Sequence, residues 1–146
     1  LIVVLGYQKE IIEKLIDKHK KIKFVFNKDF ESGMASSIKA GLNNLSDNSE
    51  AFFICLGDMP MVNKKIYNHL ISYRKKKDII VPTYNNIQVN PVLFSKSMRP
   101  SIMTINGDIG AKKILELNIG KMLKVKIDDV NITRDFNTKN DFNSSS

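Results

Sequence analysis

Near-continuous apolar runs alternate along this chain with segments whose apolar residues recur every three or four positions, and that alternation restricts the architecture more than any other feature. Leu1-Ile2-Val3-Val4-Leu5 and Ala51-Phe52-Phe53-Ile54-Cys55-Leu56 lack the polar interruptions of a strand with one wet face. Both read as strands covered on two sides. Further strands are expected at 22–26, 79–84, 91–94 and 122–127. Between them, Ile11, Ile12, Leu15 and Ile16 form one helical stripe within 8–20, and Met34, Ile38, Leu42 and Leu45 form another. Ile66, Leu70 and Tyr73 mark a helix near 63–76, and Ile109, Ile114, Leu115 and Leu117 one over 109–117. Asn85-Asn86 reads as a hairpin turn, because asparagine tolerates positive φ. Asp108 and Thr138 are the expected helix caps, and Gly120 an expected helix stop.

Strands alternating with helices predict an open, mostly parallel α/β sheet with helices on both faces. A length of 146 residues suits one domain over 1–146. The longest apolar run is a handful of residues, too short to span a bilayer. One cysteine allows no internal disulfide, which points to a reducing, cytoplasmic setting. Cys55 itself reads as a buried small hydrophobe, and His19 and His69 have no partner pattern for a triad or a zinc site. The net charge is +8, yet the basic residues are dispersed and only Arg74, Arg99 and Arg134 are arginine. A nucleic-acid footprint would cluster on one face with arginine and aromatics interleaved. A solvated lysine surface suited to an anionic small molecule is preferred, with neither nucleic acid nor membrane as partner.

In open α/β sheets ligands bind beyond the carboxyl ends of the strands, which singles out three loops. Glu31 to Ser37 offers Gly33 for close backbone approach and the hydroxyls of Ser36 and Ser37 at a helix N-terminus. Such an end favours anions or a base carbonyl, although the same residues also suit a plain capping segment. Gly57-Asp58-Met59-Pro60 places Asp58 at the end of an apolar strand. Asp58 there is either a Mg²⁺ ligand or the carboxylate of an Asx turn or a helix cap. The third loop carries Asp128, Asp129, Arg134, Asp135, Phe136, Asn137 and Thr138, whose acids offer a further metal ligand or an ordinary charged surface.

Five segments in order carry a family resemblance. Val3-Val4-Leu5-Gly6-Tyr7 matches a second strand and its turn. Gly33-Met34-Ala35-Ser36-Ser37-Ile38 resembles the Gly-Met-x-Ser-Ser-Leu stretch of MobA-like nucleotidyltransferases, particularly the molybdenum cofactor cytidylyltransferases. Leu56-Gly57-Asp58-Met59-Pro60 resembles their Gly-Asp-Met-Pro metal motif. Val81-Pro82-Thr83-Tyr84 with Asn90-Pro91-Val92-Leu93-Phe94, and Asn106-Gly107-Asp108-Ile109-Gly110-Ala111, resemble the remaining two.

The resemblance implies a three-layer α/β/α Rossmann-like fold of the nucleotide-diphospho-sugar transferase type. It implies transfer of CMP from CTP onto the phosphate of a molybdopterin-type cofactor, with release of pyrophosphate. Asp58 would be the catalytic carboxylate and, with Asn137, would hold Mg²⁺. Gly33, Ser36, Ser37 and Gly57 would bind the nucleotide, and Asn90, Pro91 and Asp108 the acceptor. A molybdoenzyme or a cofactor-insertion protein would be the onward partner. The family's first strand and its Leu-Ala-Ala-Gly loop have no counterpart here, so the expectation is an N-terminally truncated domain, open at one strand position, inactive alone and prone to associate. Asn137 stands where the cytidylyltransferases carry Asp, and Lys139 where they carry Pro. The alternatives are a guanylyltransferase of the same family, a catalytically incompetent binding module and a nucleic-acid binder.

Overall fold

The computed structural model describes residues 1–108, 111–138 and 141. In chain order the elements are β1 (Ile2–Leu5), α1 (Lys9–Leu15), β2 (Lys23–Phe26), α2 (Met34–Leu42), β3 (Ala51–Ile54), α3 (Lys64–Ser72), β4 (Ile79–Tyr84), β5 (Ile87–Gln88), β6 (Val92–Ser95), α4 (Arg99–Met103), α5 (Ala111–Leu117) and β7 (Met122–Lys126). Residues 109 and 110 of the expected helix start, Lys139 and the Ser-rich tail lie outside the described residues. No helix among the described residues is long and apolar enough to cross a membrane.

The chain gathers into two compact units. Leu1–Ser49 with Met98–Leu117 form one, and Glu50–Ser97 with Asn118–Ser146 form the other. In the first, β1 and β2 pair in parallel from Ile2 opposite Lys23 to Leu5 opposite Phe26. Helix α2 lies so close on β1 that a Cβ on Gly41 would stand 3.2 Å from Val4 Cγ2. Ala35 and Leu42 are buried on α2, and Ile102 on α4. Helix α1 is shorter than the expected 8–20 and buries none of its residues. Its stripe of Ile11, Ile12 and Leu15 is exposed.

The second unit corrects the expectation of a mostly parallel sheet. Strand β4 pairs in parallel with β7, but β6 runs antiparallel to both β3 and β4 and lies between them. The cause is the Asn85-Asn86 turn, where both residues take positive φ (49° and 67°) and reverse the chain within two residues. Strand β5 therefore runs back along β4, and Val92–Ser95 continues in that reversed direction. Pro82 falls between the residues of β4 paired to β6 and those paired to β5, where a missing N–H breaks no bond on that edge. Ile66 and Leu70 of α3 pack with Ile80, Leu93, Val125, Ile127 and Ile132 as the core of this unit. Each such side chain contributes on the order of 1.5–3 kcal/mol on burial.

Candidate functional site

At the carboxyl end of β2, Asn27 is 5% exposed and spends its whole side chain on neighbours. Its Nδ2 donates to Ser36 Oγ (2.8 Å) and Ser37 Oγ (3.0 Å), and its Oδ1 accepts from the N–H of Asp29 (3.0 Å). Ser36 Oγ in turn donates within the loop, lying 2.8 Å from the carbonyl of Gly33 and 2.9 Å from that of Asp29. Sequence reasoning missed Asn27. The available signal was a polar residue at the end of an apolar strand, nine and ten positions before two adjacent hydroxyls.

Gly33 precedes α2 with φ +103°, and a Cβ there would lie 2.5 Å from both Asp108 N and Gly107 C. Only glycine fits a backbone pressed this closely in that conformation. The segment 106–108 also closes the head of the helix. The N–H of Ala35 donates to the Gly107 carbonyl (3.1 Å), that of Met34 to Asp108 Oδ1 (3.4 Å), and Lys39 Nζ to Asn106 Oδ1 (2.9 Å). Of the two readings of this helix head, anion site or capping segment, these bonds fit the second, a carboxylate and a carbonyl meeting the N–H groups of Met34 and Ala35. Ser36, Lys39, Asn43, Asn27, Asp29 and Asn106 line much of a cavity of about 430 Å³ in this unit.

In the second unit, β3 ends at Ile54, two residues earlier than expected, and Gly57-Asp58 forms the turn after it. Asp58 Oδ1 is buried and has no hydrogen-bond partner among the described residues, a costly state for a carboxylate oxygen unless something else satisfies it. The carbonyl of Asp58 accepts from the N–H of Phe136 (2.8 Å), which ties this turn to the loop carrying Asn137. Asn137 Nδ2 donates to Asp135 Oδ2 (3.0 Å). Asp141 Oδ2 accepts from the N–H groups of Asn137 (2.8 Å) and Thr138 (2.6 Å), and its own N–H returns to the Thr138 carbonyl (3.1 Å). Thr138 and Asp141 are thus joined by two hydrogen bonds. Asn63, unremarked in the sequence, caps α3 through bonds from Lys65 N and Ile66 N and also meets Asp129.

The structure gathers Gly33, Ser36, Ser37 and Asp108 in the first unit and Gly57, Asp58, Asn90, Pro91 and Asn137 in the second. Gly57 has open space where a Cβ would be. Pro91 is buried after a cis peptide bond from the half-buried Asn90. The reading of Cys55 as buried is corrected. The residue is exposed, because it lies just past the end of β3. Burial around its sulfur nevertheless pushes the thiol up, and the Tyr67 hydroxyl, 3.6 Å away, draws it partly back. Among the described residues no cluster of three or more His, Cys, Asp or Glu is assembled. A hard cation at Asp58 would therefore rest on one carboxylate, an amide oxygen, and phosphate and water oxygens, a donor set that Mg²⁺ accepts.

The fold is shared with a solved structure, and the sequence with a family of NTP transferases. The solved structure of 4-diphosphocytidyl-2C-methyl-D-erythritol synthase from Anaerococcus prevotii superposes with a TM-score of 0.76 at 15% identity, covering 99% of this chain and 75% of that one. The chain belongs to the family of the MobA-like NTP transferase domain, which it matches over residues 1–125. It is 34% identical over 99 residues to a probable molybdenum cofactor guanylyltransferase of Methanosarcina mazei, covering 65% of this chain and 43% of that protein. It is 26% identical over 148 residues to the molybdenum cofactor cytidylyltransferase of Escherichia coli, covering 97% of this chain and 71% of that protein.

Proposed function

We propose that the protein carrying this domain catalyses nucleotidyl transfer in molybdenum cofactor synthesis, moving CMP from CTP onto the terminal phosphate of a molybdopterin-type acceptor. The observation that carries the reading is Asp58 Oδ1, a buried carboxylate oxygen without a partner at the end of β3. Support for cytidine comes from the cytidylyltransferase match, which runs along 97% of the chain.

A divalent cation, when bound, neutralises phosphate charge on the nucleotide. Asp58 would hold it, with Asn137 beside it. Because Asn137 Nδ2 is engaged by Asp135, its amide oxygen is the atom left for a cation. An acceptor phosphate oxygen attacks the α-phosphorus, the bond to the bridging oxygen breaks, and pyrophosphate leaves with the electron pair. Such a reaction asks the protein for position and charge rather than covalent chemistry. Gly33, Ser36 and Ser37 are assigned to the nucleoside, Gly57 to the phosphates, and Asn90, Pro91 and Asp108 to the acceptor. A cytoplasmic location and hand-over to a molybdoenzyme belong to the same proposal.

Pyrophosphate release with CTP or GTP, a molybdopterin-type acceptor and Mg²⁺ tests it. CTP-dependent release that stops on chelation is expected. Preference for GTP would move the assignment to the guanylyl branch, and release with neither nucleotide would overturn it.

A further inference from the structure

Asparagine followed by glycine occurs once in this chain, at Asn106-Gly107. The pair has a chemistry of its own, because a glycine nitrogen carries no side chain beside it and can close onto the side-chain carbonyl carbon of the residue before it. Both partners are accessible here. Asn106 and Gly107 are exposed and lie outside helix and strand. A Cβ on Gly107 would meet nothing within 4 Å. The Gly107 N–H has no acceptor among the described residues, so its nitrogen gives up no hydrogen bond when it turns toward the side chain.

Lys39 adds a second, independent feature. Its Nζ donates to Asn106 Oδ1 at 2.9 Å, while Asn106 Nδ2 donates to the Thr104 carbonyl at 3.3 Å, so the amide is held with its oxygen toward the ammonium. Attack on the amide carbon builds negative charge on that oxygen, and a cation already in place stabilises such charge more than it stabilises the ground state.

We infer that Asn106 is a site of spontaneous deamidation, with Lys39 as the positioning residue that promotes ring closure and steers ring opening to aspartate. The Gly107 nitrogen loses its proton to solvent and bonds to Asn106 Cγ. The bond from Cγ to Nδ2 breaks, and ammonia leaves with the electron pair and a proton from water, which gives a succinimide. Water then adds to one of the two ring carbonyls. Addition at Cγ, the carbonyl beside Lys39, breaks the new bond, returns the electron pair and a proton to the Gly107 nitrogen, and leaves an aspartate paired with the ammonium. Addition at the main-chain carbonyl leaves isoaspartate and lengthens the backbone by one carbon. That extra carbon would fall where the Gly107 carbonyl receives the Ala35 N–H and where residues 107 and 108 press on Gly33. The aspartate product keeps those contacts and cancels the charge of Lys39, the one cation lining the cavity of about 430 Å³.

The test ages the folded full chain at mildly alkaline pH in heavy-oxygen water and follows each asparagine by peptide mass spectrometry, with fragmentation separating aspartate from isoaspartate. Asn48, exposed and followed by serine, is the internal comparison. Asn106 should convert faster than Asn48, mainly to aspartate. Lys39→Met should slow Asn106 about fivefold, the worth of one hydrogen bond in the barrier, and make isoaspartate the main product, whereas Lys39→Arg should keep the wild-type pattern. In concentrated urea all three chains should convert at one rate with isoaspartate predominant, since the ammonium is then no longer held in place. Asn106→Asp, the aged form, should keep the Tm of fresh protein. Conversion at Asn106 no faster than at Asn48 would overturn the site. Equal rate and product in folded Lys39→Met and wild type, or a difference between them that survives urea, would overturn the role of Lys39, and a lowered Tm in Asn106→Asp would overturn the pairing of the new carboxylate with it.

Discussion

The backbone N–H of Phe136 donates to the carbonyl of Asp58 across 2.8 Å. Seventy-eight residues of sequence separate the two, yet this one bond fixes the turn after β3 against the loop after β7. It joins the two segments that carry the positions assigned to a cation, Asp58 and Asn137. The bond uses main-chain atoms only, so the Asp58 side chain is free to be substituted without cutting it.

Replacing Asp58 by Ala should abolish metal-dependent transfer while leaving Tm unchanged or raised. Its Oδ1 is buried without a partner, and an unsatisfied buried polar atom costs about 1–3 kcal/mol. Removing it relieves that cost and discards the proposed metal ligand, a trade of activity against stability. Pyrophosphate release and thermal unfolding measured on the same samples check this. A fall in Tm beyond a few degrees would mean that the carboxylate holds the fold. Asn137→Ala should reduce activity less, because it removes a neutral ligand.

Gly33→Ala and Gly57→Ala should part company in stability. At Gly33 the added Cβ meets main-chain atoms at 2.5 Å with φ at +103°, whereas at Gly57 nothing lies within 4 Å. The strained conformation alone costs about 1–3 kcal/mol, and backbone displacement adds about 1–3 kcal/mol. Urea unfolding should show Gly33→Ala several kcal/mol weaker and Gly57→Ala near wild type. Equal midpoints would contradict the close approach of residues 107 and 108.

Asn63→Ala should cost about 0.5–2 kcal/mol, since Asn63 caps α3 through two backbone N–H groups. Because Asn63 Nδ2 also reaches Asp129 Oδ2 at 3.3 Å, Asn63→Ala and Asp129→Ala should be sub-additive in a double-mutant cycle. Strict additivity would show that the side-chain contact contributes nothing.

The loop beyond Phe136 should respond to acid. The backbone N–H of Thr138, then its side chain, hold the Asp141 carboxyl below its ordinary range, with the Asn137 N–H adding to the effect. A depressed value means that the folded turn favours the anion. Its contribution is therefore present above the ordinary aspartate value of about 3.9 and is lost as pH falls through the lowered one. The amide resonances of Asn137 and Thr138 should stay fixed from neutral pH down to that range and then move together. Asp141→Asn should show the acid positions at every pH. Resonances that titrate near neutrality would assign the turn to another group.

Much of the fold is legible in the sequence because burial on two sides leaves runs such as Ile79-Ile80-Val81 without polar breaks, and the hairpin at Asn85-Asn86 is legible because few residue pairs accept positive φ. The direction of β6 is not. Val92, Leu93 and Phe94 are all buried, so no pattern of faces tells parallel from antiparallel. Helical period in Ile11, Ile12 and Leu15 predicts α1 correctly but is silent on what lies against it, and those residues prove exposed. At the candidate site, a glycine and two hydroxyls before a helix are visible from composition alone. The grip of Asn27 on both serines is not, because it depends on where a strand ends relative to the helix head.

The occupied head of α2 has an electrical consequence. With Asp108 Oδ1 at the Met34 N–H and the Gly107 carbonyl at that of Ala35, the positive end of the helix is compensated before any ligand arrives. A phosphate approaching it meets a carboxylate rather than bare N–H groups. What this end of the molecule offers a ligand is a set of hydroxyl and main-chain groups beside the charges of Asp108, Asp29 and Lys39, and only the influence of those charges is screened by salt. Contacts made to the uncharged groups should persist in concentrated salt, so any salt sensitivity of substrate affinity would report on the charged groups and the phosphates.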